Sequence, residues 1–166
     1  GYAEQPMAQT RRNRSRGRSP RPYRQPRSRA LPALVAASAG LIALLSVFLP
    51  WYRTNLGEPA TVGHASGWEA TGIGKAVVAL AVIWVIAALF AASDDFGTIR
   101  LDVRTIEGLG YLVALCAVLA GVLVAYRIAR PPGPAPDFLS RDFGLVVAGL
   151  ACIAGVVAGA AMAARR

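Results

Sequence analysis

The sequence predicts an all-α membrane protein: a four-helix transmembrane bundle behind a disordered, Arg-rich N-terminal tail. Three observations carry this. Hydrophobic residues make up 55% of the chain and stand in four long runs. A soluble core spaces its apolar residues at period 2 or 3.6, whereas a bilayer asks for roughly 20 in succession. Every charged residue lies outside the four runs, and half of the 18 cations precede the first of them.

The tail, residues 1–30, holds Arg11, Arg12, Arg14, Arg16, Arg18, Arg21, Arg24, Arg27 and Arg29 among Pro, Ser and Gln, against a single acid, Glu4. Such a composition cannot bury enough apolar surface to offset the entropy of ordering, so disorder is expected. The net charge of +9 is therefore a property of the tail, because residues 31–166 come to only +1. The numbering opens at Gly1, and Met7 is a candidate native start. Of the two functions open to such a tail, adhesion to anionic lipid of the inner leaflet is preferred. Nucleic-acid recognition is disfavoured, since only Tyr2 and Tyr23 are available to stack on bases. Recruitment of an acidic protein partner stays open.

The first run, Leu31–Leu49, has no charge and would span roughly 28 Å as a helix. It exceeds the apolar core of a signal peptide and no small-x-small cleavage site follows, so it is expected to be a retained span. Pro50 ends it, and Trp51 and Tyr52 stand at its mouth. A loop over 51–72 follows. The second run is Ala76–Ala92, the third Gly108–Tyr126 and the fourth Phe143–Ala164. Four prolines between Arg130 and Ser140 require a loop there. Between the second and third runs Ile99, Leu101 and Val103 alternate with Arg100, Asp102 and Arg104; a solvated loop is expected, with an extended segment on the membrane surface as the alternative.

Cations near span ends set orientation. With the N-terminus inside, thirteen cations fall on the cytoplasmic side and five outside: Arg53, Lys75, Arg127, Arg130 and Arg141. The third loop, with three arginines, runs against the rule, but the tail should dominate. The bacterial plasma membrane, with both termini cytoplasmic, is the expected location. Aromatic residues at both span ends (Phe48, Trp51, Tyr52, Trp68, Tyr126, Phe138 and Phe143 at the outer, Phe90, Phe96 and Tyr111 at the inner) match the belts seen at membrane interfaces.

Lipid provides no hydrophobic drive between helices, so close contact depends on small residues. Ala151, Gly155 and Gly159 share one face of the fourth run, and Ala117, Gly121 and Ala125 one face of the third; Ala36 and Gly40 lie in the first. Helices 1, 3 and 4 are expected to approach closely, leaving the bulkier second run more exposed. The Gly155/Gly159 face serves either this packing or a homo-oligomer. Cys116 and Cys152, inside apolar runs, are expected to be small packing residues.

No catalytic, cofactor or metal constellation is apparent. His64 is the sole histidine, and no nucleophile motif surrounds Ser66. The runs hold no ionisable side chain other than the two cysteines, apart from tyrosine, whereas proton relays and most transporters need charged groups inside their spans. Trp51, Tyr52 and Trp68 are the candidates for contact with a partner, beside the Gly155/Gly159 face.

Leu49-Pro50-Trp51-Tyr52, Ser66-Gly67-Trp68-Glu69-Ala70 and Arg130-Pro131-Pro132-Gly133 together resemble uncharacterised small four-span membrane proteins of actinobacteria. The resemblance covers residues 31–166, implies the four-span fold and brings no activity with it. A likeness to claudin-type proteins fails, because the first outer loop lacks their cysteine pair. The expectation is a non-catalytic accessory or scaffolding subunit of a larger bacterial membrane complex, contacting other membrane subunits or its own copies. A small transporter or channel component and a membrane-anchored binding module are the alternatives.

Overall fold

The structure, a computed structural model, describes residues 30–54, 64–70, 72–131 and 139–164. It is mostly helical, in the order α1 (Leu31–Ser46), β1 (Pro50–Thr54), β2 (His64–Ser66), α2 (Gly67–Ala70), α3 (Gly72–Asp95), α4 (Val103–Ala129), β3 (Leu139–Arg141) and α5 (Phe143–Ala163). Three helices are long and apolar enough to cross a bilayer: α3, α4 and α5. The shorter apolar helix α1 packs with them. The expected tail, including its nine arginines, lies outside the described residues.

Helix ends follow local chemistry. Pro32 sits in the first turn of α1, where its missing N–H costs nothing. Asp102 and Asp142 cap α4 and α5, each accepting from the next backbone N–H at 2.9 and 2.8 Å. The α3 C-terminus closes on Gly97 at φ 72°, with Thr98 N–H donating to the Ser93 carbonyl and Gly97 N–H to that of Asp94. This is a Schellman closure, for which glycine is the residue without a Cβ penalty. Residues 99–102 connect α3 to α4 without a strand, as the loop reading expects.

The four long helices form a square. α1 lies beside α3 and α5, and α4 beside the same two. The expected closeness of helices 1, 3 and 4 is thus half corrected: α1 and α4 each meet α5, but they stand across the bundle from each other. The second run is corrected as well. Its helix α3 is not a peripheral element, since Val77, Ala81, Trp84 and Ala88 are all fully buried.

Trp84 is the largest side chain at the centre of the square. A Cβ on Gly155 of α5 would overlap the Cζ2 and Cη2 atoms of its ring, and one on Gly40 of α1 would lie 3.4 Å from the ring and 2.7 Å from Val85 Cγ2. The indole therefore fills a slot that exists because Gly155 lacks a side chain, while Gly40 borders the ring at ordinary contact distance. Lower in the bundle, Gly159 and Gly110 bring α5 and α4 into backbone contact: a Cβ on Gly159 would lie 2.7 Å from the Ala114 nitrogen, and one on Gly110 2.6 Å from that of Ala163. Ala36, Gly40, Ala117, Ala151, Gly155 and Gly159 are interior, whereas Gly121 is half-buried and Ala125 exposed, so the stripe of the third run leaves the core toward its end.

Gly155→Ala tests the slot. Alanine gains up to about 1 kcal/mol in helix propensity, but overpacking a filled core costs about 1–3 kcal/mol. Thermal unfolding in detergent should show net destabilisation, and the same substitution in a Trp84→Ala background should be neutral or stabilising. Additive effects in that double-mutant cycle would show that the two residues are not coupled.

Candidate functional site

The region over 51–72 is read as a loop from sequence, and the structure corrects this: it builds part of a lid. β1 is the central strand of a three-stranded antiparallel sheet in the order β2-β1-β3. Tyr52 pairs with Arg141 on one side and Ala65 on the other, and Arg53 with Ser140 and His64. Pro50 stands at the first position of its strand, where a missing donor is tolerated. The register slips between Pro50 and Tyr52. Such a bulge re-aims consecutive side chains, and Trp51 and Tyr52, which alternation would send to opposite faces, are both buried.

This burial corrects their reading as surface contacts. Trp51 is 0% exposed and Tyr52 1%. Trp51 plugs one end of the bundle. Its Nε1–H donates to the Ser46 carbonyl at 2.8 Å, and its own carbonyl accepts from Asp142 N–H at 2.9 Å. Two glycines press on the ring: a Cβ on Gly67 would collide with its six-membered part, and one on Gly144 would lie 2.8 Å from Cδ1 and 2.7 Å from the Pro50 carbonyl. The segment Leu49–Tyr52 and the segment Ser66–Ala70 thus meet through Trp51 and Gly67. Trp68 N–H donates to the Val47 carbonyl at 3.1 Å, tying the second segment to the end of α1.

Tyr52 reaches the neighbouring helix. Its hydroxyl donates to the Arg127 carbonyl in the last turn of α4 at 3.1 Å, and Arg141 Nε–H donates to the Ile128 carbonyl at 2.7 Å. These two bonds satisfy carbonyls that a helix C-terminus leaves open. Burial pushes the Tyr52 phenol above its ordinary value of 10.0, partly opposed by the Arg127 and Arg141 guanidiniums. Arg53 Nε lies 3.5 Å from an Asp142 carboxylate oxygen.

Of the three aromatic candidates, Trp68 alone reaches the surface, at 41% exposure. It stacks on Phe48 with ring centroids 5.9 Å apart, and Lys75 Nζ stands 5.5 Å from the centroid of its ring. With Pro50, Ser66 and Glu69 the two rings line a shallow recess of about 370 Å³. The Ser66 hydroxyl accepts from Glu69 N–H at 3.3 Å. The arrangement is an amphipathic edge: rings flanked by one cation and one carboxylate, chemistry suited to the headgroup level of a bilayer or to a partner's loop.

Gly155 and Gly159 are buried between helices of this chain, so the structure places them in its own core and not on an outward face. Cys116 and Cys152 are free and buried. Among the described residues no three of His, Cys, Asp and Glu gather as a metal would need. A second, apolar groove of about 500 Å³ runs between α1 and α5, lined mainly by aliphatic side chains with Ser38. Sequence reading missed Trp84 as the centre of the core and Arg141 as a helix cap; neither carries a local signal. No protein-family model matches the chain, and no curated protein is detectably similar to it.

Substitutions at the lid separate its parts. Trp51→Ala should cost about 3–5 kcal/mol, as for other fully buried large side chains, and Tyr52→Phe about 1 kcal/mol for one hydrogen bond. The phenol's pKa is raised on folding, so its stabilising contribution is complete below pH 10.0 and is lost as pH rises beyond it. Alkaline unfolding midpoints should fall more steeply in the parent than in Tyr52→Phe; identical slopes would contradict the buried phenol.

Proposed function

We propose that this protein is a non-catalytic accessory or scaffolding subunit of a larger bacterial membrane complex, inserted as a four-span bundle with both termini cytoplasmic. The observation that carries the proposal is the contrast between the inside of the bundle and its outside. The centre is filled by Trp84, Ala and Gly, closed at one end by Trp51. The outside presents rows of large apolar side chains, among them Leu41, Leu45, Ile86, Leu115, Val122, Leu150, Ile153 and Val157. A filled axis suits a helix-packing role better than a conducting one, and the exposed rows suit lipid or the helices of other subunits.

The reading of four spans, instead of the three longer ones alone, is supported by the end of α1. Its 16 residues cover about 24 Å. Beyond Ser46 the chain continues in tightened turns, with Val47, Phe48 and Leu49 N–H donating three residues back. Three residues at about 2 Å each bring the total to ~30 Å, the thickness of a hydrocarbon core. The tail arginines, Arg11 to Arg29, then lie on the anionic inner leaflet and fix the direction of insertion.

Two measurements bear on this. Single cysteines at Thr98 and Gly133, in a background lacking Cys116 and Cys152, report sidedness: an impermeant maleimide should label Gly133→Cys in intact cells and Thr98→Cys only after lysis. The reverse pattern overturns the orientation. Extraction in a gentle detergent should yield a stoichiometric membrane partner or a defined oligomer; a monodisperse monomer with nothing co-purifying defeats the scaffold role.

A further inference from the structure

We infer that the sheet end of α4 carries a binding site for a phosphate-class anion, supplied by the phosphodiester headgroup of a membrane lipid. Three arginines stand there. Arg127 lies in the last turn of α4 and Arg130 is its C-cap residue. Arg141 is held against the same helix end by its 2.7 Å bond to the Ile128 carbonyl. Both Arg127 and Arg141 act on the Tyr52 phenol, which fixes them on the same side of the lid.

Among the described residues nothing neutralises this positive charge. A helix C-terminus offers only about half a negative charge, against three guanidiniums. The nearby described carboxylate, Asp142, is engaged by Arg53 and by the α5 N-terminus. Among the described residues none of Arg127, Arg130 and Arg141 is within ion-pair distance of a carboxylate. Arg127 Nε is shut off from solvent and donates to no acceptor among the described residues. A guanidinium N–H that has lost water and gained no protein acceptor is suited to an external anion, and the planar fork of arginine matches phosphate oxygens.

The level of the cluster identifies the source. Tyr126 and Phe143 are the chain neighbours of Arg127 and Asp142, and both are exposed. Exposed rings at the ends of apolar helices mark the interface, where lipid phosphates lie. The inference rests on the membrane reading above and is independent of the scaffold role.

The test is photo-crosslinking of the full chain in mixed vesicles, using phosphatidylglycerol with a diazirine in its headgroup and adducts mapped by peptide mass spectrometry. Location separates this site from the tail, whose arginines also attract anionic lipid. Adducts are expected on residues 127–131 and 139–141, reduced at least tenfold in Arg127→Gln/Arg130→Gln/Arg141→Gln while tail adducts persist. Arg141 also caps a carbonyl, so Arg130→Gln alone, whose side chain bonds to nothing among the described residues, serves as the fold-neutral variant; a loss of about threefold is expected. Diacylglycerol bearing the same diazirine should not label these residues. Competition by inorganic phosphate alone, at millimolar concentration, would support the anion site with a soluble source. Equal labelling of parent and variants, or adducts on the tail only, overturns the site. A diazirine in the acyl chain provides the control: if it labels α3, α4 and α5 while the headgroup probe fails, the membrane reading stands and the anion site falls.

Discussion

The bundle depends on one side chain in one slot. Trp84 projects from α3 to the centre of the square and lies against Gly40 of α1 and Gly155 of α5. In lipid, an apolar side chain gains little by leaving the solvent, because the solvent is itself apolar. What remains is contact. Each pair of carbon atoms at the right distance gives only about 0.1–0.2 kcal/mol, but an enclosed large side chain makes tens of such pairs. The missing side chain of Gly155 leaves the room that the indole fills, and Gly40 of α1 borders it at ordinary contact distance. The indole N–H finds no acceptor among the described residues, so its place there is explained by shape and not by polarity.

The lid extends the same logic to the end of the bundle. A loop between spans must satisfy its backbone polar groups before it can cover an apolar interior. Here β1 does so by pairing on both sides, and its remaining ties run to helix ends: Trp51 to Ser46 and Asp142, Tyr52 to Arg127, Trp68 to Val47. Gly67 and Gly144 then allow Trp51 to lie flat in the mouth. Trp84 and Trp51 occupy equivalent situations at different depths, each an indole between two glycines from different elements.

Much of this was legible from the chain. Four charge-free runs place the helices, and the ends fall within a few residues of observation. The helices outrun the apolar windows where polar first turns remain helical: α4 begins at Val103 because Asp102 caps it, before Gly108 opens the apolar stretch. The strands were not legible. β1 and β3 are three to five residues long and pair across some eighty-five positions, so no local alternation announces them. Trp51 and Tyr52 were misplaced for a related reason. Aromatics at a span end read as interface anchors, and only the bulge and the pairing with β3 turn them inward. The glycine stripe was legible as a contact face, yet its partner was not, since Trp84 carries no periodic mark of its own.

The arginines of the third loop are the residue of that legibility problem. Counted as charges, Arg127, Arg130 and Arg141 oppose the positive-inside bias in the proposed orientation. Counted by their bonds, two of them belong where they are. Arg141 satisfies the Ile128 carbonyl, and Arg127 offers its carbonyl to Tyr52 while its cation sits on the last turn of α4, where the helix dipole favours it. In the proposed orientation insertion is biased by charges flanking the first span before any of these bonds exist, and there the nine tail arginines stand against Arg53 alone. Once the bundle has closed, the same three cations have fixed positions around the end of one helix. A charge that is a weak cost during insertion becomes a fixed part of the folded lid, which is why a count of cations and a list of hydrogen bonds can disagree about the same loop without conflict.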